Sequence, residues 1–134
     1  MYKNIIVAVD MSENSYRAVL EATKLTEEDS FITLLNVRDA SEAQREALHG
    51  GDIIPEDTIE GLEKQTSLLE SKNIQYKLLT KTGQIAKTII DEANSGSYDV
   101  IIVGQKGKVL KDIIIGSVSR RVLKESKIPV LLVK

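Results

Sequence analysis

Continuous runs of aliphatic residues alternate with stretches of helical period along this chain, and that alternation restricts the fold more than any other feature. "NIIVAV" (Asn4 to Val9) is short, β-branched and unbroken, as a strand buried on both faces should be. Ser12 offers a cap, and Ala18, Ala22 and Leu25 recur at helical spacing, so the pattern predicts a helix from Ser12 to about Thr26. "FITLLNV" (Phe31 to Val37) reads as a second buried strand. Ile59, Leu62, Leu68 and Leu69 mark a helix from about Glu56 to Lys72. "IQYKLLTK" (Ile74 to Lys81) is a third, more polar strand. Ile85, Ile89 and Ala93 share one face of a helix from Gln84 to Asn94, which Gly96 stops. "DVIIVG" (Asp99 to Gly104) is a fourth strand, Ser117 to Ser126 a helix with Val118 and Val122 inward, and "IPVLLVK" (Ile128 to Lys134) a fifth strand. Strand and helix alternate, so the expected fold is α/β, a parallel sheet with helices on both faces.

A length of 134 residues suits a single domain over 1–134. Aromatics make up only 4% of the chain, so the core must be built from Ile, Leu, Val and Ala. The absence of cysteine excludes a disulfide framework and cysteine-based zinc or redox chemistry, and fits a cytoplasmic chain. The first apolar run is too short for a signal-peptide core, and no window reaches the length of a membrane span. A net charge of −2 does not advertise a nucleic-acid binder.

One segment, Arg38 to Pro55, is long and polar and carries Gly50-Gly51, with room for a short helix around Ser41 to Leu48. Loops of this length are usually functional or disordered. The sole histidine, His49, lies there. With no second histidine and no cysteine to share a metal, it reads as an exposed loop residue.

Ligands of open α/β sheets sit beyond the carboxyl ends of the strands, where the strand order reverses. The residues there are Asp10 after the first strand, Arg38 and Asp39 after the second, Gly83 after the third, and "GQKGKVLKDIIIGSVSRR" (Gly104 to Arg121) after the fourth. Glycines let backbone N–H groups approach a ligand with no Cβ in the way. Gly116-Ser117 opens a helix, whose first N–H groups are unpaired and favour anions. Five basic side chains (Lys106, Lys108, Lys111, Arg120 and Arg121) stand against Asp112, a net +4 that leaves −6 for the rest of a chain whose total is −2. Glycines, a helix start and a positive island suit phosphate. The blander alternative has Gly104 merely ending a strand and Ser117 merely capping a helix. The stretch matches neither a Walker A loop nor the Gly-x-Gly-x-x-Gly dinucleotide fingerprint. Asp10 has two compatible readings: a cap on the first helix, with Glu13 completing a box, or a carboxylate that accepts hydrogen bonds from a ribose or base.

"NIIVAVDMSENS", "LLNV" and "DVIIVGQKG…IIIGSVSRRVLKESKIPVLLVK" together resemble the universal stress protein family, over essentially the whole chain. That resemblance implies an open, Rossmann-like, five-stranded parallel sheet of order 3-2-1-4-5, with Asp10 and Gly104 facing each other across the reversal. One branch of the family binds ATP or a related adenine nucleotide through Gly, two residues, Gly, nine residues, Gly, then Ser or Thr. Gly104, Gly107, Gly116 and Ser117 match it. The resemblance places Gly104 by the ribose and Gly107, Gly116, Ser117 and Val118 by the phosphates, with Ser119 in the same turn. It places Asp10 and the backbone of Val37 by the adenine, with Ala8 at the strand-one edge. One departure stands out: "KVLKDIII" gives eight residues between Gly107 and Gly116 where the family has nine. A residue spans at most about 3.3–3.6 Å, which a flexible loop absorbs more easily than a tight phosphate cradle.

The reading that follows is a cytoplasmic, adenine-nucleotide-binding stress protein (ATP, ADP or AMP, with or without Mg2+) that acts as a sensor or switch. No general base or nucleophile pair stands beside the loop, so slow ATP hydrolysis is the most activity expected. The alternative is a nucleotide-free dimeric scaffold of the same fold. An adenylating enzyme is a third reading, against which stands "DMSENS" in place of a Ser-Gly-Gly loop after the first strand. In the order 3-2-1-4-5 strands three and five are edges. Gln75, Lys77 and Lys81 guard the third, whereas "IPVLLV" carries no charge before Lys134, which suits a homodimer through the last strand with Leu131 or Leu132 in the seam. No nucleic acid or membrane partner is expected.

Overall fold

The structure, a computed structural model, describes residues 1–41, 44, 48, 61–105 and 116–134. Among the described residues the elements follow in the order β1 (Tyr2–Ala8), α1 (Glu13–Lys24), β2 (Thr26–Asp39), α2 (Glu63–Ser71), β3 (Gln75–Gly83), α3 (Ile85–Ser95), β4 (Val100–Gly104), α4 (Ser117–Glu125) and β5 (Val130–Val133). The five strands form one sheet of order β3-β2-β1-β4-β5, with every neighbouring pair parallel. Gly107, Lys106, Lys108, Lys111 and His49 lie outside the described residues, as do most of the helix expected at Ser41 to Leu48 and the first turn expected for α2. Among the described residues no helix is long and apolar enough to cross a membrane.

Alternation along β1 divides the core in two. Ile5, Val7 and Val9 point to one face, where Ala18, Val19 and Ala22 of α1 and Leu62 and Leu69 beside α2 cover them. Ile6 points to the other, with Leu35, Ile101 and Val103, under Ile89, Ile90 and Ala93 of α3 and Val122 of α4. Ile5, Ile6 and Val7 are all 0% exposed, which is why the run shows no polar alternation. Elements differ from expectation mainly in length. β2 extends over Thr26–Asp39, because strand pairing continues through its polar ends: Thr26 lies opposite Tyr2, and Arg38 and Asp39 lie opposite Thr82 and Gly83. Those two residues are therefore strand, not loop.

Ser12 caps α1 and accepts from the Ser15 N–H at 3.2 Å. This corrects the capping reading of Asp10. Its carboxylate Oδ1 instead accepts from the Ser12 N–H at 2.9 Å, two residues on, which shapes the turn before the cap. Ser15, not Glu13, supplies the N–H that the cap satisfies, so no capping box forms.

Gly104 ends β4 against the first turn of α1. A Cβ built on it would lie 2.5 Å from the Asn14 carbonyl oxygen and 2.8 Å from its carbon, both backbone atoms that cannot swing aside. Gly104→Ala must push α1 off the sheet, so it should cost about 1–3 kcal/mol; urea unfolding measures this, and a neutral result refutes the close approach.

Glu92 on α3 ties that helix to the β3 edge. Its Oε2 lies 2.8 Å from Lys81 Nζ, its Oε1 accepts from the Tyr98 hydroxyl at 2.9 Å, and its side chain is only 16% exposed. The Lys81 ammonium, helped by Tyr98, holds this carboxyl below the usual range despite the opposing effect of burial. Burial, together with the carboxylate it faces, pushes the Tyr98 hydroxyl up. Because the folded pKa of Glu92 is depressed, its contribution is complete above the unfolded value of about 4.3 and is lost as pH falls through the folded value. The stability gap between wild type and Glu92→Gln should thus be constant near neutrality and close in acid below about pH 4; a gap that widens in acid contradicts the pairing.

Candidate functional site

A cavity of about 180 Å3 opens at the carboxyl ends of β1 and β4, where the sheet order reverses. Ala8, Val9 and Asp10 form one wall, and the start of α1 (Ser12, Asn14 and Ser15) continues it. Leu35 and Val37 of β2, with Ile85 and Ile89 of α3, make an apolar slot. Val103 and Gly104 of β4 and Gly116, Ser117, Val118 and Ser119 complete the lining. Every site residue expected from sequence is therefore gathered here, except Gly107, which lies outside the described residues.

The β1 wall is fixed by hydrogen bonds. The Asp10 N–H donates to Ser15 Oγ at 2.9 Å, and the Asp10 carbonyl accepts from Gln65 Nε2 of α2 at 3.1 Å. Asn14 clamps the opposite lip: its Nδ2 donates to the Gln105 carbonyl, while its Oδ1 accepts from Arg17. The first turn of α1 is thus bound to the end of β4, on the same contact that requires glycine at 104.

The α4 wall is different. Gly116, not Ser117, is the N-cap, with extended geometry (φ −61°, ψ 158°) and no side-chain cap bond. Ser117 is the first helical residue and is exposed, so the capping alternative for it fails. Where Gly104 is crowded, Gly116 is open: among the described residues nothing lies within 4 Å of a Cβ built on it. Its φ is accessible to any residue, so backbone strain does not explain the glycine. The starting N–H groups of α4 carry partial positive charge, and the N-cap supplies no side-chain bond to them. Hydrogen bonds tie the ends of α4 to those of α3: Arg121 Nη1 donates to Gln84 Oε1 at 3.0 Å, Asn94 Nδ2 donates to the Glu125 carbonyl at 3.4 Å, and the Lys127 N–H donates to Asn94 Oδ1 at 3.0 Å. Arg121 also pairs with Glu125 at 2.6 Å, so of the basic island only Arg120 and Arg121 are among the described residues, and one is engaged within its own helix.

Eight lining residues were not among those expected: Val9, Ser12, Asn14, Ser15, Leu35, Ile85, Ile89 and Val103. Ile85 and Ile89 were read as core, which they are, but the first turn of α3 lies beyond the sheet end and so also floors the cavity. The polar run "DMSENS" was the available signal for the other wall. Among the described residues no group of three or more His, Asp or Glu is placed to hold a metal.

The cavity lining brings together the apolar residues Leu35, Val37, Ile85 and Ile89, Asp10 and several serines, and a helix start whose N-cap makes no side-chain bond. A family model described as the universal stress protein family matches residues 1–134. Universal stress protein MJ0531 of Methanocaldococcus jannaschii is 29% identical over 141 residues, spanning 100% of this chain and 83% of its own. The solved structure of MJ0577, from the same organism, superposes with a TM-score of 0.85 at 31% identity, over 100% of this chain and 96% of that one. An Arabidopsis thaliana universal stress protein family member, solved with AMP bound, shares the fold at a TM-score of 0.70 and 21% identity, over 98% and 91% of the two chains. With the family model spanning every residue and the sheet order matching, the chain belongs to the universal stress protein family.

Proposed function

We propose that the cavity between β1 and β4 binds an adenine nucleotide (ATP, ADP or AMP, with or without Mg2+), and that the protein is a cytoplasmic, single-domain sensor or switch whose state follows occupancy. The observation that carries this reading is the pairing of an apolar slot with an uncapped, open helix start across one cavity. Leu35, Val37, Ile85 and Ile89 suit the faces of a purine, Asp10 suits ribose or base donors, and the Gly116–Ser119 turn suits phosphate. The AMP held by the Arabidopsis thaliana relative supports the ligand class. Gly107 and its neighbouring lysines belong to the same reading through the sequence motif alone. Any ATP hydrolysis is expected to be slow, since the described lining offers no His or Lys to act as a general base.

A ligand at about 100 times its dissociation constant adds roughly 2.7 kcal/mol, which raises Tm by several degrees in a domain of this size. Millimolar ATP, ADP and AMP, each with magnesium, should produce that shift in at least one case. Gly116→Val should cost at most about 1 kcal/mol, the difference between a good and a poor N-cap, yet should weaken ATP more than adenosine. No shift with any nucleotide, and no heat of binding, returns the fold to a nucleotide-free scaffold.

The same proposal includes a homodimer through β5. Leu131 on this edge strand is 37% exposed, and Val130–Val133 carries no charge. Leu132 packs toward the α3–α4 core, so Leu131 is the side chain for a seam. Sedimentation at micromolar concentration should give a dimer for wild type and a monomer for Leu131→Lys. An unchanged mass in the variant, or a monomeric wild type, rejects this arrangement.

A further inference from the structure

Gln65 is an odd side chain in the α1–α2 layer of the core. Leu62 and Leu69, three residues before it and four after, are fully buried, and Gln65 is itself 2% exposed. Leucine would fill such a position without polar cost. An amide brings two donor hydrogens and an acceptor, each of which wants a partner. Gln65 Nε2 donates to the Asp10 carbonyl at 3.1 Å across 55 positions of sequence, while Oε1 is buried with no partner among the described residues. Turning the amide over would set its oxygen against the Asp10 oxygen, so the bond to Asp10 fixes the orientation and strands the acceptor. A buried polar group held at this cost implies that the bond at its other end matters.

That end is the turn lining the cavity. The Asp10 N–H is held by Ser15 and one carboxylate oxygen by the Ser12 N–H. Gln65 anchors the carbonyl, and does so from outside the β1–α1 unit. Gln65 does not itself line the cavity. We infer that Gln65 is a positioning residue: its amide holds the Asp10 turn in the shape that walls the cavity, and so couples α2 to occupancy of the site. The affinity consequence rests on the nucleotide reading above; the consequence for the turn does not.

The test is Gln65→Leu, with Gln65→Met as a second variant of the same unbranched length. Both remove the stranded acceptor but also release the Asp10 carbonyl, opposing effects that should leave Tm little changed. Amide exchange at Asp10 and Ser12 should quicken at least tenfold while that of Ile102 in β4 is unaltered, and the dissociation constants of AMP and ATP should rise three- to tenfold. Unaltered exchange at Asp10 and Ser12 overturns the inference, as does faster exchange with unaltered affinity. Exchange that quickens equally at Ile102 marks a merely structural role and overturns it too. A wild type that binds neither nucleotide overturns the functional proposal instead, and the exchange result then decides the role of Gln65 by itself.

Discussion

β1 hydrogen-bonds to β2 on one side and β4 on the other, and the chain's crossovers run away from it in opposite senses. β1 to β2 to β3 steps one way across the sheet. β3 to β4 crosses back beyond β1, and β5 continues outward. A right-handed crossover fixes the face each connecting helix must take, so α1 and α2 cover one face and α3 and α4 the other, as the two core clusters show. The helix after β1 and the helix after β4 therefore diverge to opposite faces. A crevice must open between them, and the cavity is that crevice.

The two described glycines of the site answer to different forces. At Gly104 the sheet and α1 approach so closely that backbone occupies the space of a Cβ, and the glycine is explained by packing alone. At Gly116 the backbone is ordinary and no described residue occupies the space of a Cβ, so neither φ nor the described packing accounts for it. The ligand argument made from sequence treats both alike, whereas the structure explains only Gly104 by packing.

Legibility from sequence followed the same physics. Runs such as Ile5 to Val7 announce a strand buried on both faces, because side-chain burial is what composition records. The residues gathered at the switch point were readable because they follow strands. What could not be read was fixed by backbone or by distant partners. The outer ends of β2 are polar, and their strand pairing shows no apolar run in the sequence. The face taken by Leu131 depends on the register Ile102↔Leu131, which local sequence does not state. Asn14 stands in a polar run, yet it holds Gln105, a contact across 91 positions. Gln65 occupies the buried face of α2 at helical spacing from Leu62 and Leu69, but its polar side chain hides that from a hydrophobic pattern.

The distribution of buried polar side chains carries the argument furthest. Seven are buried among the described residues: Ser15, Ser30, Thr33, Asn36, Gln65, Gln105 and Ser119. Ser30 serves the opposite end of the sheet, where its Oγ accepts from the Glu27 N–H at 2.7 Å and donates to the Tyr2 carbonyl at 2.6 Å. Of the others, Ser15 and Ser119 line the cavity and Gln65 holds the Asp10 carbonyl of its wall, while Asn36 and Gln105 adjoin lining residues without lining it themselves. Burying polar groups costs stability unless they are fully partnered, and Gln65 Oε1 has no partner among the described residues. In a core otherwise made of Ile, Leu, Val and Ala, polar side chains on this side of the cavity set the shape of its wall rather than fill space: Ser15 accepts from the Asp10 N–H and Gln65 donates to the Asp10 carbonyl.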